Sequence, residues 1–315
     1  MKGFTDLHVH SLVSDGSMTP REIAAYAQER GLTAFALTDH DNISGDKEAE
    51  RAARERGLGF IPGMELSAQF RGHKIHIVCL GFDAEHPAFQ KLYRKVRSAK
   101  EAKIPEIVDY VRAKGIDITM DDVRAHAYGV PDRYAIMRCL VALHLYDHAQ
   151  PLWDNYLDPA VHLLGLDAIV APEEALPAIH AAGGITSLAH FHKRIGLKGE
   201  TRERQDELIG ELHALGLDGM ECWYPNYTAD DRAFAAHMIE KYNLLPTAGT
   251  DFHGTNRPEI DLGSGLGGEL CIDDRVFTGV AERVTHAVVP EGITESACME
   301  KQTLSALALR GRFIL

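Results

Sequence analysis

Residues 5–20, TDLHVHSLVSDGSMTP, place two histidines and an aspartate at the end of a short apolar run. His8 and His10 are two residues apart on a predicted strand, so both imidazoles should project to the same side. Asp15 follows five residues later. Imidazoles and a carboxylate at a buried strand end are costly unless something binds them. The pair of histidines alone is weak evidence for a metal, so further ligands must come from the rest of the chain.

Composition limits the classes of function that the chain can have. Its 315 residues, 45% of them hydrophobic, suffice for one large domain or a domain with a sizeable insert. A net charge of −13 argues against a groove for long nucleic acid, although a metal could supply local positive charge for a small phosphorylated substrate. Five scattered cysteines without a CxxC motif indicate reduced thiols in a cytoplasmic protein. We expect no signal segment and no membrane span.

Strand patterns alternate with helix patterns along most of the chain. Predicted strands cover 3–9, 33–39, 59–67, 74–82, 185–191, 217–224 and 244–253, and predicted helices cover 19–31, 44–57, 86–114, 173–184, 203–216 and 229–243. This alternation is typical of parallel strands wrapped by helices, and seven strands suggest an α/β barrel. In the tail, we predict a strand over 276–289, a helix over 295–311 and a turn at the glycine-rich residues 263–268.

The remaining candidate ligands follow other strands. His40, Glu65, His76, His190, Asp251 and His253 each lie on or just after a predicted strand. The carboxyl ends of parallel barrel strands converge on one face, so these side chains should meet His8, His10 and Asp15 there. Nine ligands are too many for one ion. Mixed nitrogen and oxygen donors without sulfur favour two or three Mn²⁺, Zn²⁺ or Fe²⁺ ions, with Glu65 able to bridge two of them.

Several motifs together resemble a known family. DLHVHSLVSDGSMTP, LTDHDNISG, GMELS, HIVCLGF, LAHFH and GTDFH occur in the order found in the PHP domain, the polymerase and histidinol phosphatase superfamily of metal-dependent phosphoesterases. The resemblance implies an α/β fold, a distorted seven-stranded (β/α)₇ TIM-like barrel. We assign residues 1–114 and 171–315 to the barrel and 115–170 to a helical insert that caps the active site.

The resemblance also implies roles for individual residues. His8, His10, Glu65 and Asp251 would hold one metal, Glu65, His76 and His190 a second, and Asp15, His40 and His253 a third. GVPDRYAIMRCLV (129–141) resembles the substrate-facing part of the family insert, with Arg133 as the phosphate-binding arginine. Lys193 and Arg194 are further candidates for phosphate binding. His192, Asp251 or His253 could protonate the leaving oxygen.

Some roles stay open at this point. Asp6, Asp39 and Glu221 could orient metal ligands or merely bond to the backbone at strand ends. Trp223 and Tyr224 could stack on a base or pack in the interior.

The predicted activity is hydrolysis of phosphate esters by attack of a metal-bridging hydroxide. Small nucleotide-like substrates are expected: a 3′,5′-bisphosphonucleotide, a nucleoside monophosphate or a cyclic ribose phosphate. The alternatives are a 5′-3′ exonuclease for short oligonucleotides, a histidinol-phosphate phosphatase, a C–N bond hydrolase and a non-catalytic metal-binding scaffold. The oligomeric state is not predicted.

Overall fold

The computed structural model describes residues 4–146, 150–165 and 170–290. The strands are β1 (Thr5–Asp6), β2 (Ala34–Leu37), β3 (Gly59–Phe70), β4 (His73–Leu80), β5 (Ile185–Leu188), β6 (Gly219–Trp223), β7 (Leu245–Ala248), β8 (Ile260–Asp261) and β9 (Gly265–Leu266). The helices are α1 (Pro20–Glu29), α2 (Asp46–Glu55), α3 (Pro87–Glu101), α4 (Ile104–Ala113), α5 (Met120–Ala125), α6 (Arg133–Ala142), α7 (Gln150–Leu152), α8 (Asp158–Leu163), α9 (Pro172–Ala181), α10 (Arg202–Ala214), α11 (Ala229–Tyr242) and α12 (Arg275–Ala281). A π-helical turn, Trp153–Leu157, joins α7 to α8, and a 3₁₀ turn covers Gly254–Asn256.

The first seven strands form one sheet in chain order, β1 to β7, which confirms the predicted α/β class and strand count. The prediction that all seven are parallel is wrong, because β4 runs antiparallel to both β3 and β5. Only Arg71 and Gly72 connect β3 to β4, with φ of 47° and 87°. Two positive φ values in a two-residue link make a tight hairpin, so no helix can cross over and the chain reverses. His76, near the start of β4, therefore lies at the edge where the parallel strands end.

The segments that follow β1 and β7 also lie side by side. Leu7 N–H donates to the Ala248 carbonyl at 3.1 Å, and Asp251 N–H donates to the His8 carbonyl at 2.9 Å. Val9 and Phe252 form an isolated parallel bridge. These bonds bring the histidines after β1 next to the residues after β7.

Helices pack around the sheet as their sequences predict. The capping box at the start of α1 is present, with the Thr19 hydroxyl accepting from Glu22 N–H and the Glu22 carboxylate accepting from Thr19 N–H. Ile23, Ala24 and Ala27 form the buried face of α1 and pack beside β2 and β3 residues such as Phe35 and Phe60. The caps and apolar faces thus place these helices against the sheet.

A group of helices between α3 and α9 has an apolar cluster of its own. Ile107, Val111, Ile136, Leu140 and Val161 belong to it. The predicted helix over 86–114 is wrong in one respect, since it is broken into α3 and α4. Pro105 explains the break, because a proline inside a continuous helix loses a hydrogen bond and clashes with the carbonyl four residues earlier. The boundary at residues 114 and 115 stays a prediction, and α4 packs with the later helices of this group.

The tail departs from the sequence prediction. Residues 276–289 do not form a strand: α12 occupies Arg275–Ala281, and only Val288 bridges to Phe60. Val276, Phe277 and Val280 lie on one buried helical face and belong to the cluster beneath β1 and β7. The glycine-rich stretch 263–268 includes the end of the β8–β9 turn, strand β9 and a second turn at Gly267 and Gly268, so turns form where the sequence predicts one. The predicted helix 295–311 falls outside the described residues. Among the residues that the structure describes, none of the helices has the length and hydropathy of a membrane span.

Candidate active site

Nine side chains converge at the edge of the sheet where the parallel strands end. Eight of them are buried, and Asp15 has a side chain 13% exposed. All but His8 and His10 line a cavity of about 1080 Å³. The nine side chains are His8, His10, Asp15, His40, Glu65, His76, His190, Asp251 and His253, the full set of ligands predicted from the sequence.

Four of these side chains form the first set. Nε2 of His8 lies 3.2 Å from Glu65 Oε1 and 3.6 Å from Asp251 Oδ1. Nε2 of His10 lies 3.3 Å from Glu65 Oε2 and 3.1 Å from the same Asp251 oxygen. Two imidazole nitrogens and two carboxylates within these distances are a donor set suited to one cation.

Glu65 links this first set to a second set, in which His40, His76 and His190 surround its carboxylate. Its Oε1 lies 2.8 Å from both His76 Nδ1 and His190 Nε2. Its Oε2 lies 2.8 Å from His40 Nδ1. Each carboxylate oxygen thus lies beside imidazoles of its own. This arrangement would let Glu65 bridge two cations, with one oxygen on each.

Asp15 is the centre of a third set. Its Oδ1 lies 3.3 Å from His253 Nε2, and its Oδ2 lies 3.5 Å from His40 Nε2. His10 Nδ1 is 3.7 Å from Asp15 Oδ1, so His10 and His40 each touch two sets. The three sets are therefore more closely merged than the separate ligand groups implied by the resemblance.

Buried polar atoms in the cluster test whether cations fit. Seven nitrogen or oxygen atoms of the candidate ligands are buried without a hydrogen-bond partner in the described residues. One is His190 Nδ1, and the other six, which lie close to other candidate ligands in all three sets, are His8 Nε2, His10 Nε2, Asp15 Oδ1, His40 Nδ1, Glu65 Oε2 and His253 Nε2. Buried polar atoms are rarely left unsatisfied, and these point at one another across short gaps. The donors therefore fit divalent cations of the kind that take nitrogen and oxygen ligands.

The protonation states of the cluster follow from its crowding. Burial would raise the pKa of Glu65, but the imidazoles of His76 and His40 hold it well below its usual range. Burial lowers the pKa of His76 to about 3, which favours the neutral ring that binds metals. Burial also opposes a charge on His40, yet Asp15 and Glu65 outweigh it and raise the His40 pKa to about 10. A proton on His40 supplies positive charge that a cation would otherwise bring.

The three carboxylates left open by the sequence support the ligands without joining the sets. Glu221 Oε1 lies 2.6 Å from His8 Nδ1, and its Oε2 accepts from His190 N–H at 2.6 Å. Asp39 accepts hydrogen bonds from Ser11 and Ser14, in the loop that carries Asp15. Asp6 accepts from Thr250 and from Gly263 N–H. Each of them fixes a ligand or a ligand-bearing loop in place.

Asp251 has additional partners that the sequence analysis missed. Arg257 Nη1 lies 2.8 Å from Asp251 Oδ2, and Lys193 Nζ lies 3.1 Å from the same oxygen. The Tyr224 hydroxyl donates to this oxygen too, so Tyr224 is buried against a ligand and is not a stacking platform. Trp223 packs against the apolar cluster below the strands. Arg257 was missed because it follows the last large strand in a loop, and its only signal is its place four residues after His253.

The cavity wall above the cluster carries the predicted phosphate-binding residues. The Arg133 guanidinium lies 5.0 Å from the Tyr134 ring and 5.4 Å from the Trp153 ring. Tyr134 in turn stacks on His40, with 5.9 Å between ring centres. Arg133, Lys193 and Arg194 all line the cavity, and Arg194 is 81% exposed and paired with Asp158 at 3.3 Å.

His192 also lines the cavity, beside the ligands but outside the three sets. Its ring meets Tyr227 edge-on, with 4.8 Å between ring centres. Burial and the nearby Lys193 lower the pKa of His192 to about 4. Its role as the acid stays a prediction.

Comparisons with known proteins agree with this geometry. The chain is 36% identical over 253 residues to a 5′-3′ exoribonuclease of Haemophilus influenzae, covering 79% of this chain and 89% of that protein. It is 31% identical over 264 residues to a 3′,5′-nucleoside bisphosphate phosphatase of Chromobacterium violaceum, covering 82% and 90%. A crystal structure of a presumed metal-dependent phosphoesterase from Bifidobacterium adolescentis superimposes with a TM-score of 0.76 at 27% identity, covering 90% and 96%.

The family model described as the PHP domain matches residues 6–242, which include the first seven of the nine candidate ligands. With this match and relatives more than 30% identical along most of its length, the chain belongs to the PHP domain family.

Proposed function

We propose that this protein is a metal-dependent phosphoesterase, a hydrolase that acts on phosphate esters of small nucleotide-like molecules. The observation that carries the proposal is the cluster of nine nitrogen and oxygen donors at the base of a cavity lined by Arg133, Lys193 and Arg257. Cation-binding donors beneath fixed positive charges suit an anionic substrate. The named activities of the two relatives, on RNA and on a nucleoside bisphosphate, are both consistent with it.

Two or three divalent ions would be held by the three sets, with Mn²⁺, Zn²⁺ and Fe²⁺ as the candidates. Such ions lower the pKa of water and balance the charge of a phosphoryl group. The nine ligands keep the assignments made from the sequence, with His10 and His40 each shared between two sets. The first seven strands would close into a distorted barrel, and residues 115–170, which include helices α5 to α8, would form the insert over its mouth.

The chain's own residues would position the substrate. Arg133 can bind a phosphate oxygen with its planar fork of N–H groups. Trp153 and Tyr134 line the same wall and offer aromatic faces to a nucleobase. His192, Asp251 and His253 are the candidates for protonating the leaving oxygen.

A second candidate function has a specific observation in its favour. A cavity of about 1080 Å³ is slightly larger than the roughly 300–1000 Å³ usual for small-molecule sites, which leaves room for more than one nucleotide. We therefore keep a 5′-3′ exonuclease acting on short oligonucleotides as the alternative. The net charge of −13 still argues against long nucleic acid.

Phosphate release tests the proposal. Mn²⁺-loaded protein is incubated with nucleoside 3′,5′-bisphosphates, nucleoside monophosphates, cyclic ribose phosphates, histidinol phosphate and 5′-phosphorylated oligonucleotides of two to five residues. Turnover of the small esters, lost in His10→Ala and kept in His237→Ala on the exposed face of α11, is the expected result. Faster turnover of the oligonucleotides would favour the exonuclease, and no turnover at full metal occupancy would refute both.

A further inference from the structure

The two oxygens of Asp251 have different surroundings. Oδ1 faces His8 and His10 of the first ligand set, at 3.6 and 3.1 Å. Oδ2 faces away from that set and is close to Arg257 Nη1, Lys193 Nζ and the Tyr224 hydroxyl. Three donors on one carboxylate oxygen exceed what is needed to orient a ligand.

Charge counting points the same way. Two cationic side chains share one carboxylate, and that carboxylate would also be a metal ligand in the proposed function. The Arg257 and Lys193 side chains are 36% and 32% exposed, and both line the cavity. A surplus of positive charge thus lies beside the ligand cluster and faces the space where a substrate would bind.

The loop that carries Arg257 is fixed in place. Asn256 Nδ2 donates to the Asp15 carbonyl at 2.7 Å, and Thr255 N–H donates to the Ser17 hydroxyl at 2.8 Å. The Arg257 backbone is therefore tied to the loop that bears a predicted ligand. In the part of the chain that the structure describes, the Arg257 guanidinium donates a hydrogen bond to Asp251, which uses one of its five N–H groups.

We infer that Arg257 and Lys193 form an anion subsite that binds a phosphoryl group of the substrate on the Asp251 side of the ligand cluster. Arg133 serves the His40 side, where Tyr134 stacks on that ring. The inference rests on the proposed function and adds binding residues to it. An arginine already held by Asp251 loses little conformational freedom when a phosphate binds, and its remaining N–H groups match phosphate oxygens.

The competing explanation is that Arg257 only orients Asp251 for metal binding. Binding of inorganic phosphate to Mn²⁺-loaded protein separates the two, because it needs no turnover. Calorimetry gives the phosphate affinity of the wild type, Arg257→Gln and Arg257→Lys, and elemental analysis gives their manganese content. Arg21→Gln is the matched control, since Arg21 makes an exposed ion pair with Glu55 on α1 and α2.

For Arg257→Gln we expect phosphate affinity to fall about tenfold or more, the usual scale for losing a charge-assisted hydrogen bond, with manganese content unchanged. Arg257→Lys should recover part of the affinity, and it provides the measurement if the glutamine variant does not fold. Unchanged phosphate affinity, or a loss of phosphate affinity only in step with manganese, would overturn the inference. If no ester is hydrolysed yet phosphate binding depends on Arg257, the proposed function fails while the subsite stands.

Discussion

Glu65 is the residue on which the ligand cluster depends most. Imidazole nitrogens of His76, His190 and His40 lie 2.8 Å from its two oxygens, and those of His8 and His10 lie 3.2 and 3.3 Å away. One carboxylate therefore contacts ligands of every set. No other described acidic side chain in the cluster has this reach.

Glu65→Gln keeps the shape of this side chain and removes its charge. We expect the variant to lose at least one bound metal ion per chain and its phosphoesterase activity to fall more than about 100-fold, since the proposed ligand to two cations would be lost. Elemental analysis and phosphate release measure the two effects. Glu50→Gln, on the exposed face of α2 beside Arg54, is the control. Full metal content with wild-type activity in Glu65→Gln would contradict the ligand assignment.

Glu221 acts through the ligands, since it contacts His8 and the backbone of His190. Removing a carboxylate that orients a metal-binding imidazole typically weakens metal affinity 10–100-fold. We expect Glu221→Gln to show a loss of this size in a competition assay with a chelator, while the protein still binds its full complement at high metal concentration. A metal affinity equal to that of the wild type would show that Glu221 does not orient the metal-binding side chains.

His180, which lies away from the candidate ligands, makes the stability of the fold depend on pH. His180 Nε2 lies 2.7 Å from Asp218 Oδ2, and this hydrogen bond raises the His180 pKa above 6.5. The raised pKa stabilises the folded protein fully below about 6.5, and this contribution is lost as the pH rises through the folded value. Because the side chain is about one-third exposed, the contribution should stay below about 1 kcal/mol.

Two measurements check this pH dependence. An NMR titration should place the His180 pKa above 6.5. In urea unfolding, the stability difference between wild type and His180→Gln should be larger at pH 6 than at pH 9. A difference that is the same at both values, or larger at pH 9, would show that the proton on His180 does not stabilise the fold.

At the scale of elements, α6 connects the helical group to the ligand cluster. Arg138 donates to the Leu12 and Ser14 carbonyls at 3.0 and 2.9 Å, and to the His126 carbonyl at 2.8 Å. Leu12 and Ser14 belong to the loop that ends in Asp15. The first two residues of the same helix are Arg133 and Tyr134, and the Tyr134 ring stacks on His40. α6 therefore holds two ligands of the third set in position.

Arg138→Met removes these three hydrogen bonds and keeps most of the side chain's length. We expect the metal bound at the Asp15 set to be the first one lost on dilution, which lowers the metal content by up to one ion per chain. Elemental analysis after dialysis measures it, with Arg124→Met on α5 as the control, because Arg124 is 60% exposed. Equal loss of all ions, or no loss, would show that α6 does not position the ligands of the third set.

The sequence predicted most of these elements because their signals are local. Apolar runs, caps and glycine stops predict the seven strands and most helices in the barrel part. The nine candidate ligands could be predicted to lie together because each follows or lies on a strand that is recognisable in the sequence. The direction of β4 depends on Arg71 and Gly72 adopting positive φ, which a pattern of apolar residues does not reveal. The sequence predicts a strand where α12 forms, because Val276, Phe277 and Val280 suit either structure until the packing partners are known. No sequence pattern indicates the role of Arg257, since only the fold brings its side chain to Asp251.

For the whole molecule, we expect the cluster of candidate ligands to make stability depend on metal. A ligand that binds only the folded state stabilises it by about 2.7 kcal/mol at 100 times its dissociation constant. For a chain of this size that corresponds to a rise in Tm of about 4 °C for one site. Removing Mn²⁺ with a chelator should therefore lower the Tm by at least this amount, and adding Mn²⁺ back should restore it.

His10→Ala supplies the control for this experiment, because it removes a side chain that touches two ligand sets. Its Tm should respond to the chelator less than that of the wild type, whereas His237→Ala should respond fully. Differential scanning calorimetry with and without chelator measures all three proteins. If the wild-type Tm is the same in both conditions, the nine side chains do not bind cations tightly in the folded protein, and both the metal sites and the phosphoesterase proposal would have to be given up.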